Sequence, residues 1–181
     1  MTRTVYTTAT TLDGFIATDD HDLGWLLSRR LDDDSPWSHD RFMAGVGAIV
    51  MGRSTFDWVE RHRAASGDAW FYTQPSWVMT SRDLPVPEGA DVRAAAGDVG
   101  DVHPALVEAA GGKDVWVVGG GGLAAAFAEA GLLDEVVVSI APVAIGSGMP
   151  LLPGTVELEL LDSGVNGEFL CARYGVVRSP A

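Results

Sequence analysis

Three short segments of this 181-residue chain combine glycine, hydroxyl and guanidinium groups in a way that suits a phosphorylated ligand. Gly119-Gly120-Gly121-Gly122 lies between the apolar run Val115 to Val118 and the helix-forming stretch Leu123 to Ala130. Glycines at such a junction let a phosphate reach the backbone, and a helix N-terminus adds free amides and a partial positive charge. The run lacks the G-x-G-x-x-G spacing with its later acidic residue. Tight strand-to-helix packing would explain it equally well. Gly52-Arg53-Ser54-Thr55 follows the apolar run Ala48 to Met51 and offers an anion clamp beside two hydroxyls. An ordinary helix start with a solvated arginine is the alternative there. Thr80-Ser81-Arg82 closes a third apolar run that begins at Trp77.

In an α/β sheet, ligands bind at the carboxyl ends of the strands, and all three segments lie at such ends. Together they point to a dinucleotide with several phosphates, which none would indicate alone. Guanidinium groups beside a hydroxyl suit a ribose 2′-phosphate.

The elements that must position these groups follow from hydrophobic periodicity. Strands are expected at Val5 to Thr10, Ala48 to Met51, Trp77 to Thr80, Asp91 to Ala95 and Val115 to Val118. Three further strands are expected late, at Val136 to Pro142, Glu157 to Ser163 and Phe169 to Val177. Helices are expected over Pro36 to Gly45, Thr55 to Arg61, Val102 to Ala110 and Leu123 to Ala130, the last stopped by Gly131. Alternation of strands and helices predicts an α/β fold, a mostly parallel central sheet with helices on both faces. The late strands lack intervening helices, so an antiparallel C-terminal edge is expected. With no repeat or linker, residues 1–181 read as a single domain.

Composition narrows the function classes. Hydrophobic residues make up 47% and charged residues 20%, a globular balance. The formal net charge is −13, with only 12 Lys and Arg residues, so no basic face exists to displace counterions from nucleic acid or an anionic membrane. The apolar runs are too short to span a bilayer, and the N-terminus lacks the apolar core of a signal peptide. Cys171 is the only cysteine and reads as a small buried hydrophobe in a protein of the reducing cytoplasm. The histidines His21, His39, His62 and His103 share no metal-ligand spacing, and no metal is expected. The late strands around Val136 to Ile140 and Phe169 to Val177 are apolar at both parities, which predicts cover by a second copy in a homodimer.

Several segments resemble the dihydrofolate reductase-like superfamily. Thr11 to Ala17, TLDGFIA, looks like its "SLDGfIA" opening, Val50 to Thr55 resembles "vMGRkT", and Asp114 to Leu123 is similar to its "VGGG" segment. Gly131 to Gly148, GLLDEVVVSIAPVAIGSG, resembles the branch containing the reductase (C-terminal) domain of the riboflavin biosynthesis protein RibD. The likeness runs in order from Thr4 to Val177.

The resemblance implies an NADPH-dependent reductase acting on a small heterocyclic or ribosylamino-pyrimidine substrate. By matching positions, Ala9, Ile16 and Ala17 would line the nicotinamide side. Arg53, Ser81 and Arg82 would hold the 2′-phosphate region, with Ser54 and Thr55 near the pyrophosphate and Gly52 and Thr80 also against the cofactor. Val118, Leu123 and the four glycines would cover the remaining phosphate and ribose, with Gly119-Gly120 the counterpart of a family peptide that is often cis. Folate reductases carry an acid on the helix after the first loop. Asp40 is the candidate here, with a solvated helix-start carboxylate as the alternative. On the substrate side, Asp13 would fix its loop, and Trp25 and Trp37 would either stack on a planar substrate or fill core. Dihydrofolate reduction and a non-catalytic NADPH-binding or sensor role are the alternatives.

Overall fold

A computed structural model describes residues 1–178. Its centre is an eight-stranded sheet. In chain order the strands are β1 (Thr4–Thr11), β3 (Val46–Gly52), β4 (Ser76–Met79), β5 (Val92–Ala95), β6 (Asp114–Gly119), β7 (Glu135–Ala141), β9 (Leu158–Asn166) and β10 (Phe169–Val176). They are arranged β5-β4-β3-β6-β1-β7-β10-β9. Neighbours from β5 to β7 pair in parallel, whereas β10 runs antiparallel to both β7 and β9. The antiparallel edge therefore lies where the missing helices place it.

Strand alternation assigns the two faces. Tyr6, Val115, Val117, Val136 and Val138 point to one side, where they pack with Leu106 of α4 (Val99–Ala110) and Phe127 of α5 (Gly121–Glu129). The alternate residues Ile49, Met51, Val78 and Trp116 face the other side. They meet Phe42 of α2 (His39–Ala44) and Phe56 of α3 (Arg53–Ser66). Asp98 and Asp101 form a reciprocal capping box at the start of α4, which carries that helix one turn earlier than its apolar pattern predicts. No helix among the described residues is long and apolar enough to cross a membrane.

Three short elements escape periodicity: α1 (Gly24–Leu27) and the two-stranded ribbon of β2 (Phe15–Ala17) with β8 (Met149–Pro150). The helix expected from Pro36 begins only at His39. Ser35 first closes a turn, its carbonyl accepting from the Ser38 amide and its hydroxyl from the Trp37 amide. The apolar double parity of β7 also has an internal explanation. Val136 and Val138 face the helices, while Val137 lines a cavity on the opposite face.

The ribbon presses closely on α5. A Cβ placed on Gly121 would lie 2.2 Å from the Pro150 carbonyl and 2.4 Å from that of Leu151, whereas one on Gly122 would meet nothing within 4 Å. Gly121→Ala should therefore destabilise the protein by about 1–3 kcal/mol through overpacking. Gly122→Ala should leave stability unchanged or raise it by up to about 1 kcal/mol, because alanine is the better helix former. Urea unfolding of both variants checks this pair; equal losses would contradict the packing.

Candidate functional site

Two cavities open on the sheet face that carries α2 and α3. The smaller, about 460 Å³, lies at the C-terminal ends of β3 and β6. These strands are neighbours, with Met51 opposite Gly119, so the helices that follow them start side by side. The N-cap of α3 is Gly52 and that of α5 is Gly120, and neither makes a side-chain capping bond. A Cβ on Gly52 would lie only 3.8 Å from the Gly119 carbonyl, a measure of how closely the two starts approach. First-turn amides lack an i−4 carbonyl within their own helix; in α5 the Leu123 amide bonds the Gly120 carbonyl at 3.0 Å, and those of Gly121 and Gly122 have no hydrogen bond among the described residues. The peptide between Gly119 and Gly120 is cis.

Ser54, Thr55, Val118, the four glycines and Leu123 line this cavity, and Ile16 and Ala17 of β2 close it from above. The alternatives for the glycine run are thus divided within it. Gly121 is required for packing, a Cβ on Gly120 would meet Ile16 at an ordinary contact of 3.8 Å, and Gly122 faces open space.

Arg53 stands at the rim beside Gly52. Its Nε donates to Asp57 at 2.7 Å and its Nη1 donates to the Asp83 carbonyl at 2.8 Å. The second bond ties the guanidinium to the loop after β4. Nη2 has no hydrogen bond within the described residues. Thr80, Ser81 and Arg82 belong to that loop but line neither cavity, and Ser81 and Arg82 are exposed. The Thr80 hydroxyl accepts from the Arg82 amide and shapes the turn.

The smaller cavity also takes in Thr8, His21, Leu23, Trp58, Tyr72 and Pro150. Sequence spacing carried no signal for them. His21, at φ 60°, holds a backbone conformation that non-glycine residues seldom adopt. Burial pushes the Tyr72 phenol up to about 12, so it stays protonated at neutral pH.

The larger cavity, about 860 Å³, spreads over β1, β6 and β7 beneath α1 and α2. Ala9 lies here with Thr7, and Trp116, Val137 and Ser139 form the floor. Trp37, Ser38, His39 and Phe42 form the opposite wall. The His39 ring meets Trp116 edge-on, with centroids 5.5 Å apart, and the Trp116 indole donates to the Thr7 carbonyl at 3.1 Å. At the far end Arg3 bonds Asp114 at 2.5 Å and Glu135 at 2.9 Å. Thr8 and Val118 line both cavities, which adjoin at these two residues.

Asp40 requires a correction. It is exposed and lines neither cavity, because α2 starts at His39 and turns His39 and Phe42, not Asp40, toward the sheet. Asp13 also lies outside both cavities. It accepts from the Thr11 hydroxyl and from the amides of Ile145 and Gly146, bonds that hold its carboxyl below the usual range and fix the loop. Trp25 packs against the cluster of Ala141, Phe169 and Cys171, whereas Trp37 touches that cluster and also lines the larger cavity. Cys171 is buried, and burial raises its thiol pKa. Among the described residues no three potential metal ligands cluster.

Comparison with known proteins places this architecture. The model of the RibD C-terminal domain matches residues 3–168. The uncharacterized protein YwjB of Bacillus subtilis (strain 168) is 28% identical over 154 residues, covering 82% of each chain. A putative riboflavin biosynthesis protein from Shewanella sp. PV-4 superposes with a TM-score of 0.79 at 28% identity, covering 97% of this chain and 99% of its own. The fold is also that of Enterococcus faecalis dihydrofolate reductase, solved with NADP(H), at a TM-score of 0.62 and 17% identity over 96% of both chains. This chain belongs to the RibD C-terminal domain family and has the dihydrofolate reductase-like fold.

Proposed function

We propose that the protein is an NADPH-dependent reductase of a small heterocyclic or ribosylamino-pyrimidine-type substrate. One observation carries this reading: two helix starts without side-chain caps converge on a single cavity lined by glycine and hydroxyl groups. Such a pair offers backbone donors and two positive dipole ends to a pyrophosphate. The cofactor, when bound, supplies a hydride from its nicotinamide ring. Ile16, Ala17 and Gly120 would border that ring, and an acceptor held in the larger cavity would meet it directly where the two cavities adjoin at Thr8 and Val118. Hydride transfer needs that proximity. With Asp40 outside the site, the folate alternative loses its acid.

Arg53 is the donor placed to recognise the 2′-phosphate. Asp57 and the Asp83 carbonyl orient it and leave Nη2 for the ligand, with Ser81 and Arg82 next along the same loop. A charge-assisted hydrogen bond contributes about 1.5–3 kcal/mol, reduced at a rim by solvent and salt. Arg53→Ala should weaken NADPH binding about tenfold while leaving NADH nearly unchanged, as read by fluorescence titration at fixed ionic strength. Equal weakening of both would remove the 2′-phosphate from this position. Oxidation of NADPH with any substrate of a pyrimidine and pterin panel separates a reductase from a protein that only binds the cofactor.

We also propose that two copies pair through β9. This strand ends the sheet, so its outer edge is unpaired among the described residues, and it exposes Leu160 (59%) and Val165 (65%). An antiparallel pairing of β9 with its own copy about a twofold axis would satisfy both edges and cover both residues. Light scattering at micromolar concentration should give a dimer mass, and Val165→Lys should shift it to a monomer. A monomeric wild type contradicts the pairing.

A further inference from the structure

The larger cavity holds two hydroxyls that the fold itself does not use. Ser38 is the N-cap of α2, a position where serine normally accepts from the first-turn amides, yet its side chain makes no capping bond. It is only 5% exposed, and its Oγ has no partner within the described residues. The hydroxyl of Thr7 on the β1 floor is buried without a partner as well. Ser35, three residues before Ser38, shows what a structural serine does here: its hydroxyl accepts from the Trp37 amide. Buried hydroxyls left unpaired destabilise a fold, so each needs a reason.

The rest of the lining narrows that reason. Trp37, Phe42, Trp116 and Phe169 give the cavity an aromatic lining, in which Trp37 and Phe42 are partly exposed while Trp116 and Phe169 are buried behind them. Of the four arginines in its lining, three are engaged by carboxylates, Arg3 by Asp114 and Glu135, Arg29 by Glu168, and Arg173 by Glu135 and Asp162, while the fourth, Arg41, is exposed to solvent. The cavity thus combines an aromatic lining with two idle hydroxyls.

We infer that Ser38 and Thr7 read the polar edge of an uncharged planar heterocycle held against this aromatic lining, in place of the carboxylate expected at Asp40. A hydroxyl both donates and accepts, so it can meet either a ring carbonyl or a ring N–H. A turn about χ1 moves each oxygen between staggered positions and brings it to the ligand. The inference rests on the proposed reductase reading and supplies the specificity of its substrate half.

The test uses 5,6-diaminouracil as the neutral ring, with the full-length protein and the variants Ser38→Ala and Thr7→Val. Calorimetric titration should show each variant binding the ring about three- to tenfold more weakly, the effect of one neutral hydrogen bond. Thermal melting should show Tm unchanged or raised, because each change removes an unpaired buried oxygen. Affinity for NADPH, which occupies the other cavity, should not change. The inference is overturned if the wild type does not bind the ring, if the variants bind it as the wild type does, or if both variants melt lower. Absence of NADPH binding by the wild type would instead sink the reductase reading and leave the ring titration interpretable.

Discussion

The arrangement depends on unpaired backbone amides at two adjacent helix starts. Because β3 and β6 are neighbours in a parallel sheet, α3 and α5 begin at the same edge and height. Glycine N-caps at both starts remove the side chains that would otherwise accept from the first-turn amides. The same absence of Cβ atoms lets the two backbones approach and leaves a cavity between them. A fold that leaves these amides without partners gains by closing them on an anion. The β2–β8 ribbon has a corresponding role: it packs on Gly121 and brings Ile16 and Ala17 over the opening.

Electrostatics make the local donors necessary. With a net charge of −13, the protein's field opposes any phosphorylated ligand. Attraction must come from short-range groups in fixed positions, namely helix ends, hydroxyls and one oriented guanidinium. Arg53 is held by an acid one helical turn away and by the carbonyl of Asp83, so it meets a ligand with little further loss of side-chain freedom. The larger cavity is arranged differently. Its ion pairs largely neutralise one another at the far end, and its centre is aromatic, which favours a ring over a phosphate.

The smaller cavity was legible in the sequence, and the larger one was not, for a physical reason. Gly52 to Thr55 and Gly119 to Leu123 are contiguous, and a strand–glycine–helix junction places its own backbone without help from distant chain. Thr7, Ser38, Trp116 and Ser139 come from four elements that only tertiary packing unites. A late helix start misdirected the reading of the acid. A helix counted from Pro36 differs by nearly a full turn in which residues it offers to the sheet, and Ser35's turn delays α2 to His39. Ser81 and Arg82 were misjudged in extent, since the loop after β4 carries them beyond the cavity rim while Arg53 alone reaches back to it. The ribbon strands have three and two residues, too few for any period to show.

If both helix starts hold one pyrophosphate, titrating the ¹⁵N-labelled protein with NADPH should shift the amides of Ser54 and Thr55 at α3 and of Gly121 and Gly122 at α5 together, with one shared dissociation constant. Movement of one set without the other, or of neither while NADPH binds, would contradict it.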